Sequence, residues 1–254
     1  MHPCLRAWPS QQFYEGRIQD HETVLESGPN ARELKPELLA FQKALKGRRM
    51  LFIDLVASHE TLDSVRSKCN HMEAATTVGL LKLLNAAAKK GLKGLAGMIG
   101  VISPYKSQVR LLKNKIGDVT RRVGAELREI FEVNTVDAFQ GREKQVIIFN
   151  CVRSNLQNSL QASLGFLIDE RRLNVAITRP KHFLIVIGNA ATLSKYPAWA
   201  SMIDHCRETG CHLAIDTRRE GELASEAYLR AQIDQLDEVM QSDKNEKLNA
   251  IGRN

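Results

Sequence analysis

Short apolar runs alternate with longer polar or amphipathic stretches along most of the chain. Met50–Val56, Gly97–Ile102, Val146–Phe149 and Phe183–Ile187 are almost continuously apolar and rich in β-formers. Such runs predict strands covered on both faces. A further strand is expected near Cys211–Ile215. Between the runs the period changes from two to about 3.6. Val78, Leu81, Leu84 and Ala88 form one stripe of a helix over 70–89, with basic residues at the end where the helix dipole favours them. Helices are also expected from Ser103–Pro104 to about Ile116, over 171–179, and after Trp199 to about His205. Strands interleaved with helices predict an α/β fold with helices on both sides of a sheet.

Other segments punctuate this pattern. Met1–Asp20 mixes Pro3, Pro9 and Gly16 with Trp8, Phe13 and Tyr14, and reads as an irregular segment whose aromatics pack on a neighbouring surface. His21–Arg49 is polar, with a turn at Gly28-Pro29-Asn30 and a helical period over Leu34–Leu45. Asp118–Phe131 reads as a connecting helix or loop with a solvated basic face, and Leu156–Leu164 as a polar loop on the rim of a site. Residues 216–254 are charged. Leu223, Ala227, Leu229, Ile233, Leu236 and Met240 there predict an amphipathic helix that packs on the domain or on a partner.

At 254 residues the chain can bury one sizeable core. A net charge of +7 favours an anionic partner, nucleic acid ahead of a membrane surface. Five cysteines at irregular spacing point to free thiols in a reducing, intracellular compartment, nuclear or cytoplasmic. No apolar run approaches the ~18 residues of a membrane span. His205, Cys206, Cys211 and His212 are valid zinc ligands by type. Their spacing is loose, and a strand at 211–215 would turn neighbours to opposite faces, so no metal is expected.

The candidate chemistry sits at strand ends, where open α/β sheets bind ligands. Asp137-Ala138-Phe139-Gln140-Gly141-Arg142-Glu143 precedes one apolar run, and Arg171-Arg172-Leu173-Asn174-Val175-Ala176-Ile177-Thr178-Arg179 precedes another. Arg172, Val175, Ala176 and Arg179 recur at three- and four-residue spacing, so both arginines are expected on one side of a short helix. Two guanidinium groups aimed one way suit a polyphosphate or a nucleic-acid backbone. The alternative for them is a solvated helix face.

DAFQGRE and RRLNVAITR resemble motifs V and VI of superfamily 1 helicases. The closest group is the 5′-to-3′ branch that contains the regulator-of-nonsense-transcripts helicase and senataxin. The resemblance covers roughly residues 1–215 and corresponds only to the second of two RecA-like domains. It implies an inter-domain segment over 1–20, a RecA-like domain over 21–215 and an added helical tail over 216–254. Ser103, Pro104 and Tyr105 resemble motif IV and, with Thr135 and Asp137, would line a track for single-stranded RNA or DNA. Gln140, Gly141, Arg142 and Glu143 resemble nucleotide-side residues, with Glu143 accepting from ribose hydroxyls. Arg179 resembles the arginine finger, and Gln140 and Arg142 are its catalytic companions. The plain alternatives are an N-cap for Ser103 and another for Asn70.

An ATP motor also needs a phosphate-cradling loop and acidic ligands for Mg²⁺. None of the 16 glycines here is followed by lysine. Phe166-Leu167-Ile168-Asp169-Glu170 has the outline of an Mg²⁺-binding strand, yet Arg171-Arg172 follows directly, and it is read as the lead into motif VI. In the resembled family a Tyr-Arg pair precedes Met-His-Pro, which here would fall before Met1. These features point to a fragment, an alternative start or an incomplete gene model, with ATP and Mg²⁺ shared with an absent first RecA-like domain. Alone, the chain is expected not to turn over ATP. The alternative is a catalytically inactive nucleic-acid-binding or protein-interaction module.

Overall fold

The computed structural model describes residues 1–21, 36–64, 66–88, 94–122, 131–155 and 164–251, without the side chains of 218–220 and 239–251. In chain order its main elements are α1 (Pro3–Tyr14), α2 (Pro36–Ala44), β1 (Met50–Leu55), β2 (Thr61–Leu62), β3 (Lys68–Cys69), α3 (His71–Ala87), β4 (Ile99–Ser103) and α4 (Lys106–Arg122). Then follow β5 (Phe131–Thr135), β6 (Lys144–Asn150), α5 (Glu170–Ile177), β7 (Pro180–Gly188), α6 (Ala190–Leu193), α7 (Pro197–Glu208), β8 (His212–Ile215) and α8 (Glu226–Ile251).

Among the described residues six strands form one parallel sheet in the order β5-β4-β6-β7-β1-β8. The apolar runs supply its centre, and alternate residues serve opposite faces. Leu51, Ile53, Val146, Ile148, Phe183 and Ile185 pack into one core with residues from α2, α3, α4 and α8. Phe52, Ile147, Phe149, Leu184 and Val186 pack into a second core with residues from α1, α5 and α7. Both faces are therefore covered, as expected for a RecA-like domain. Residues 156–163 of the expected rim loop, and 123–130 of the expected connector, lie outside the described residues.

The structure departs from the sequence reading in the first segment. Residues 3–14 form a helix although Pro9 lies inside it. His2 Nδ1 accepts from Cys4 N–H, proline occupies the first turn, and Leu5 and Trp8 are buried on the second core. Tertiary burial outweighs the backbone hydrogen bond that Pro9 removes. Helix α4 also runs on to Arg122, past the expected end near Ile116. The tail is joined closely to the domain at its start, where Leu223, Leu229 and Ile233 belong to the first core. Gly79 of α3 makes this possible: a Cβ there would lie 2.4 Å from the Leu223 carbonyl oxygen.

Candidate nucleotide and nucleic-acid sites

β5 and β6 both run parallel to β4, so residues 136–143 must cross one face of the sheet from its C-terminal to its N-terminal edge. The crossing lies close against the sheet. Val136 N–H donates to the Ser103 carbonyl (3.2 Å), and residues 137–139 form a 3-10 turn. Phe139, fully buried, lies over Gly100, where a Cβ would come within 2.8 Å of its ring. Gly141 then turns the chain at φ +75° with open space around it. Lys144 N–H donates to the Arg179 carbonyl (3.1 Å), fixing the start of β6 beside the start of β7.

α5 lies along this crossing. Asp169 caps it by accepting from the N–H groups of Arg171 and Arg172, which explains the acidic pair that has the look of a metal-binding strand. Residues 165–168 before it form a 3-10 helix, not a strand. Leu173, Ala176 and Ile177 are buried, and eight residues span about 12 Å. The expectation that Arg172 and Arg179 aim one way is not met. The helix closes at Thr178, so Arg179 leaves it and enters new surroundings. Arg172 Nε donates to Asp137 Oδ1 (3.0 Å) at one end of the crossing. Arg179 Nε donates to the Val175 carbonyl (2.9 Å), and its Nη1 reaches the Arg142 carbonyl (3.5 Å) at the other. Helix and crossing are thus tied together at both ends.

At the N-terminal edge Gln140, Gly141, Arg142 and Glu143 are all exposed, and Arg179 is partly so. Arg142 pairs with Glu132, which also meets Lys144 Nζ at 3.1 Å, and Glu143 lies 3.3 Å from Lys181 Nζ. Burial pushes the Glu132 carboxyl up, but hydrogen bonds and charge from Lys144 and Arg142 outweigh it and hold it below its ordinary value. These groups offer guanidinium donors and a carboxylate acceptor on one surface, a set that fits a triphosphate and a ribose. His2 N–H donates to the Lys181 carbonyl (2.8 Å), bringing the first residues to the same edge. A separate cavity of about 620 Å³ beside the start of β1, lined by Cys4, Arg48, Arg49, His205 and Cys211 among others, contains none of the expected site residues.

At the C-terminal edge a cleft of about 430 Å³ gathers Pro104, Tyr105, Thr135 and Asp137 with Phe166 and Arg172. Four expected track residues therefore meet. Ser103 does not join them. It is fully buried, and its Oγ accepts (3.4 Å) from the N–H of Tyr105, the residue before α4 begins. Tyr105 is a support: 6% exposed, its hydroxyl donates to the Leu164 carbonyl (3.4 Å) and accepts from Arg153 Nη1 (3.3 Å). Burial pushes its pKa up. Arg153 is held in turn by Glu60 Oε2 at 2.8 Å. The outward aromatic is Phe166, 54% exposed, which the sequence reading did not select. In sequence it looks like the first member of the apolar run Phe166-Leu167-Ile168, but in the 3-10 turn Leu167 is the buried member and Phe166 faces out.

Beneath the cleft lies a buried polar network. Asn70 caps α3, accepting from Met72 and Glu73 N–H (both 3.1 Å), and its Nδ2 donates to the Val152 carbonyl (3.2 Å). Gln108 bridges Asn70 and Asn150. Val152, a β-branched residue at φ +73°, is locked by Asn70 and by its own N–H donating to Glu73 Oε1 at 2.8 Å.

Comparison with known proteins follows this geometry. A family model described as an AAA domain matches residues 1–191. The chain is 36% identical over 214 residues to the Regulator of nonsense transcripts 1 homolog of Arabidopsis thaliana, covering 83% of this chain and 16% of that protein. It is 37% identical over 211 residues to the protein of the same name in Neurospora crassa, covering 83% and 18% respectively. It is 34% identical over 212 residues to the ATP-dependent helicase NAM7 of Saccharomyces cerevisiae, covering 83% and 20%. The chain spans a fifth or less of the length of these relatives.

Proposed function

The chain belongs to the AAA-domain family, and on that footing we propose that it is the second motor domain of an ATP-dependent helicase. Its track takes single-stranded RNA or DNA, and its nucleotide edge closes on ATP and Mg²⁺ held by a first RecA-like domain. The name of the Saccharomyces cerevisiae relative, ATP-dependent helicase NAM7, supports helicase activity. The observation that carries the reading is the double tie between α5 and the 136–143 crossing, Arg172–Asp137 at one edge and Arg179–Arg142 at the other. We take this pair of contacts as the connection between the two expected sites.

Each residue then has a part that its surroundings allow. Arg179 and Arg142 present guanidinium groups to developing charge on the terminal phosphate, and Gln140 positions the attacking water. Gly141 lets the backbone turn close to the phosphates, and Glu143 accepts from ribose hydroxyls. Thr135 and Pro104 meet the strand directly, whereas Asp137 acts by holding Arg172. The phosphate-cradling loop and the Mg²⁺ ligands belong to the first domain. A shift of Arg179 on closure is passed along α5 to Arg172 and the cleft, which couples turnover to a step along the strand.

Arg179→Ala tests this in a full-length context that supplies the phosphate loop. Loss of ATP turnover by about 10³ or more, with strand binding preserved, is the expected result. Unchanged turnover removes the finger assignment.

A further inference from the structure

We infer that Phe166 is a base-stacking ledge, the surface on which one nucleobase of the bound strand rests. The inference depends on the nucleic-acid reading above and adds to it a ring on which a base can stack.

A lone exposed phenylalanine needs no explanation. This one is built into place. The Arg172 guanidinium covers its ring at 5.1 Å from the centroid, and Tyr105 abuts it at 5.9 Å with planes 62° apart. Even so, 54% of the residue remains in solvent, inside the cleft that holds Thr135 and Lys106. The backbone beneath is fixed on both sides. Gly165 stands at φ +56°, and a Cβ there would lie 2.6 Å from Arg153 Nη1 and 2.9 Å from the Tyr105 hydroxyl. The Leu167 carbonyl accepts from Trp199 Nε1 at 2.9 Å. A ring so held loses little conformational freedom when a ligand lies on it, which is what a stacking platform requires.

The chemistry selects a nucleobase as the occupant. A guanidinium-backed aromatic ring continues naturally into a third flat layer, as bases stack on aromatic and arginine planes in single-strand binding proteins. The Lys106 ammonium is exposed, and the Thr135 hydroxyl keeps its proton to donate because its oxygen accepts from Ala138 N–H (3.4 Å). Both suit the phosphates flanking a stacked base. Stacking reads no base edge, so the ledge accepts any base.

The natural tryptophans make a direct test possible. Trp8 and Trp199, the two in the chain, are 6% and 0% exposed, so in a Phe166→Trp variant the new indole is the solvent-facing reporter. The 254-residue variant is titrated with an oligouridylate of about ten nucleotides and with an abasic strand of equal length, and binding is followed separately by anisotropy of a labelled strand. Quenching by oligouridylate but not by the abasic strand is expected. In parallel, Phe166→Ala should weaken oligouridylate binding roughly ten-fold and leave abasic binding unchanged, the second result also reporting an intact fold. Binding without quenching, or an equal loss for both strands, overturns the ledge and leaves the nucleic-acid reading standing. No anisotropy change with the unaltered chain overturns both.

Discussion

Glu73→Gln isolates the effect of a carboxyl buried without full compensation. Glu73 is fully buried in the first turn of α3. Its Oε1 accepts from Val152 N–H at 2.8 Å, while Oε2 has no hydrogen-bond partner. Burial pushes the carboxyl well above its ordinary value; the Val152 and Cys151 N–H groups act against this and the Glu60 carboxylate adds to it. The sign follows directly. The folded chain holds the proton more tightly than the unfolded one, so stability is highest below the unfolded value of 4.5 and falls as pH rises through the interval up to the folded value. Each pH unit in that interval costs about 1.4 kcal/mol. With a urea dependence of roughly 2–3 kcal/mol per molar, that lowers the unfolding midpoint by about half a molar per unit. Glutamine keeps the shape and the acceptor to Val152 and has no proton to lose. Urea unfolding of both proteins from about pH 5 to about pH 7 should give a wild-type midpoint that falls relative to the variant. The difference cancels the titrating groups that do not interact with Glu73. Parallel midpoints would show that Glu73 ionises as easily folded as unfolded, and the reasoning from burial would be refuted.

Two further expectations concern the sheet and its N-terminal edge. Gly100→Ala places a Cβ 2.8 Å from the Phe139 ring and from Ile147 Cδ1, so the motif crossing must lift. Overpacking of this kind costs about 1–3 kcal/mol, a fall in melting temperature of roughly 2–10 °C by circular dichroism, and an unchanged melt would mean that the crossing does not depend on this contact. Burial first, and then the Arg49, His2 and Lys181 charges, lower the His182 pKa from 6.5 to about 4. The native state disfavours the proton, so this group adds stability as pH rises from about 4 through 6.5; the imidazole NMR titration should have its midpoint near the lower value, and a midpoint at 6.5 would contradict the burial.

What could be read from the residues alone divides along a physical line. The strands were legible because burial on both faces leaves no polar position to interrupt a run such as Phe183–Ile187. The motif segments were legible through their resemblance to helicase motifs V and VI; the turn at Gly141 and the cap at Asp169 came only with the structure. Helix α1 was missed because what forms it, Trp8 burial with Nε1 donating to Ser201 Oγ at 3.0 Å, lies 193 residues away. The same limit governed the site. Local spacing put Arg172 and Arg179 on one face, but a helix of eight residues ends before Arg179; Arg172 turns to Asp137, 35 residues away, while Arg179 is held within its own segment by the Val175 carbonyl and Thr178 Oγ1.

That division bears on how the site works. Residues 140–143, at the proposed nucleotide edge, sit where local turns place them. Tyr105 and Phe166 are set by distant partners. Tyr105 is clamped by Arg153, and Phe166 is turned outward by a backbone that Arg153 and Trp199 confine. Arg153 leans on Glu60, 93 residues earlier, and directly follows the strained Val152, which Asn70 and Glu73 lock from α3. The floor of the cleft is therefore assembled from α3, β6 and the turn before α5, three elements that touch only once the whole sheet is formed. In the proposed coupling α5 transmits motion only if one end rests on something that does not yield. The buried network under Val152 would be that support, so changes in it should alter strand binding while the proposed nucleotide edge keeps its geometry.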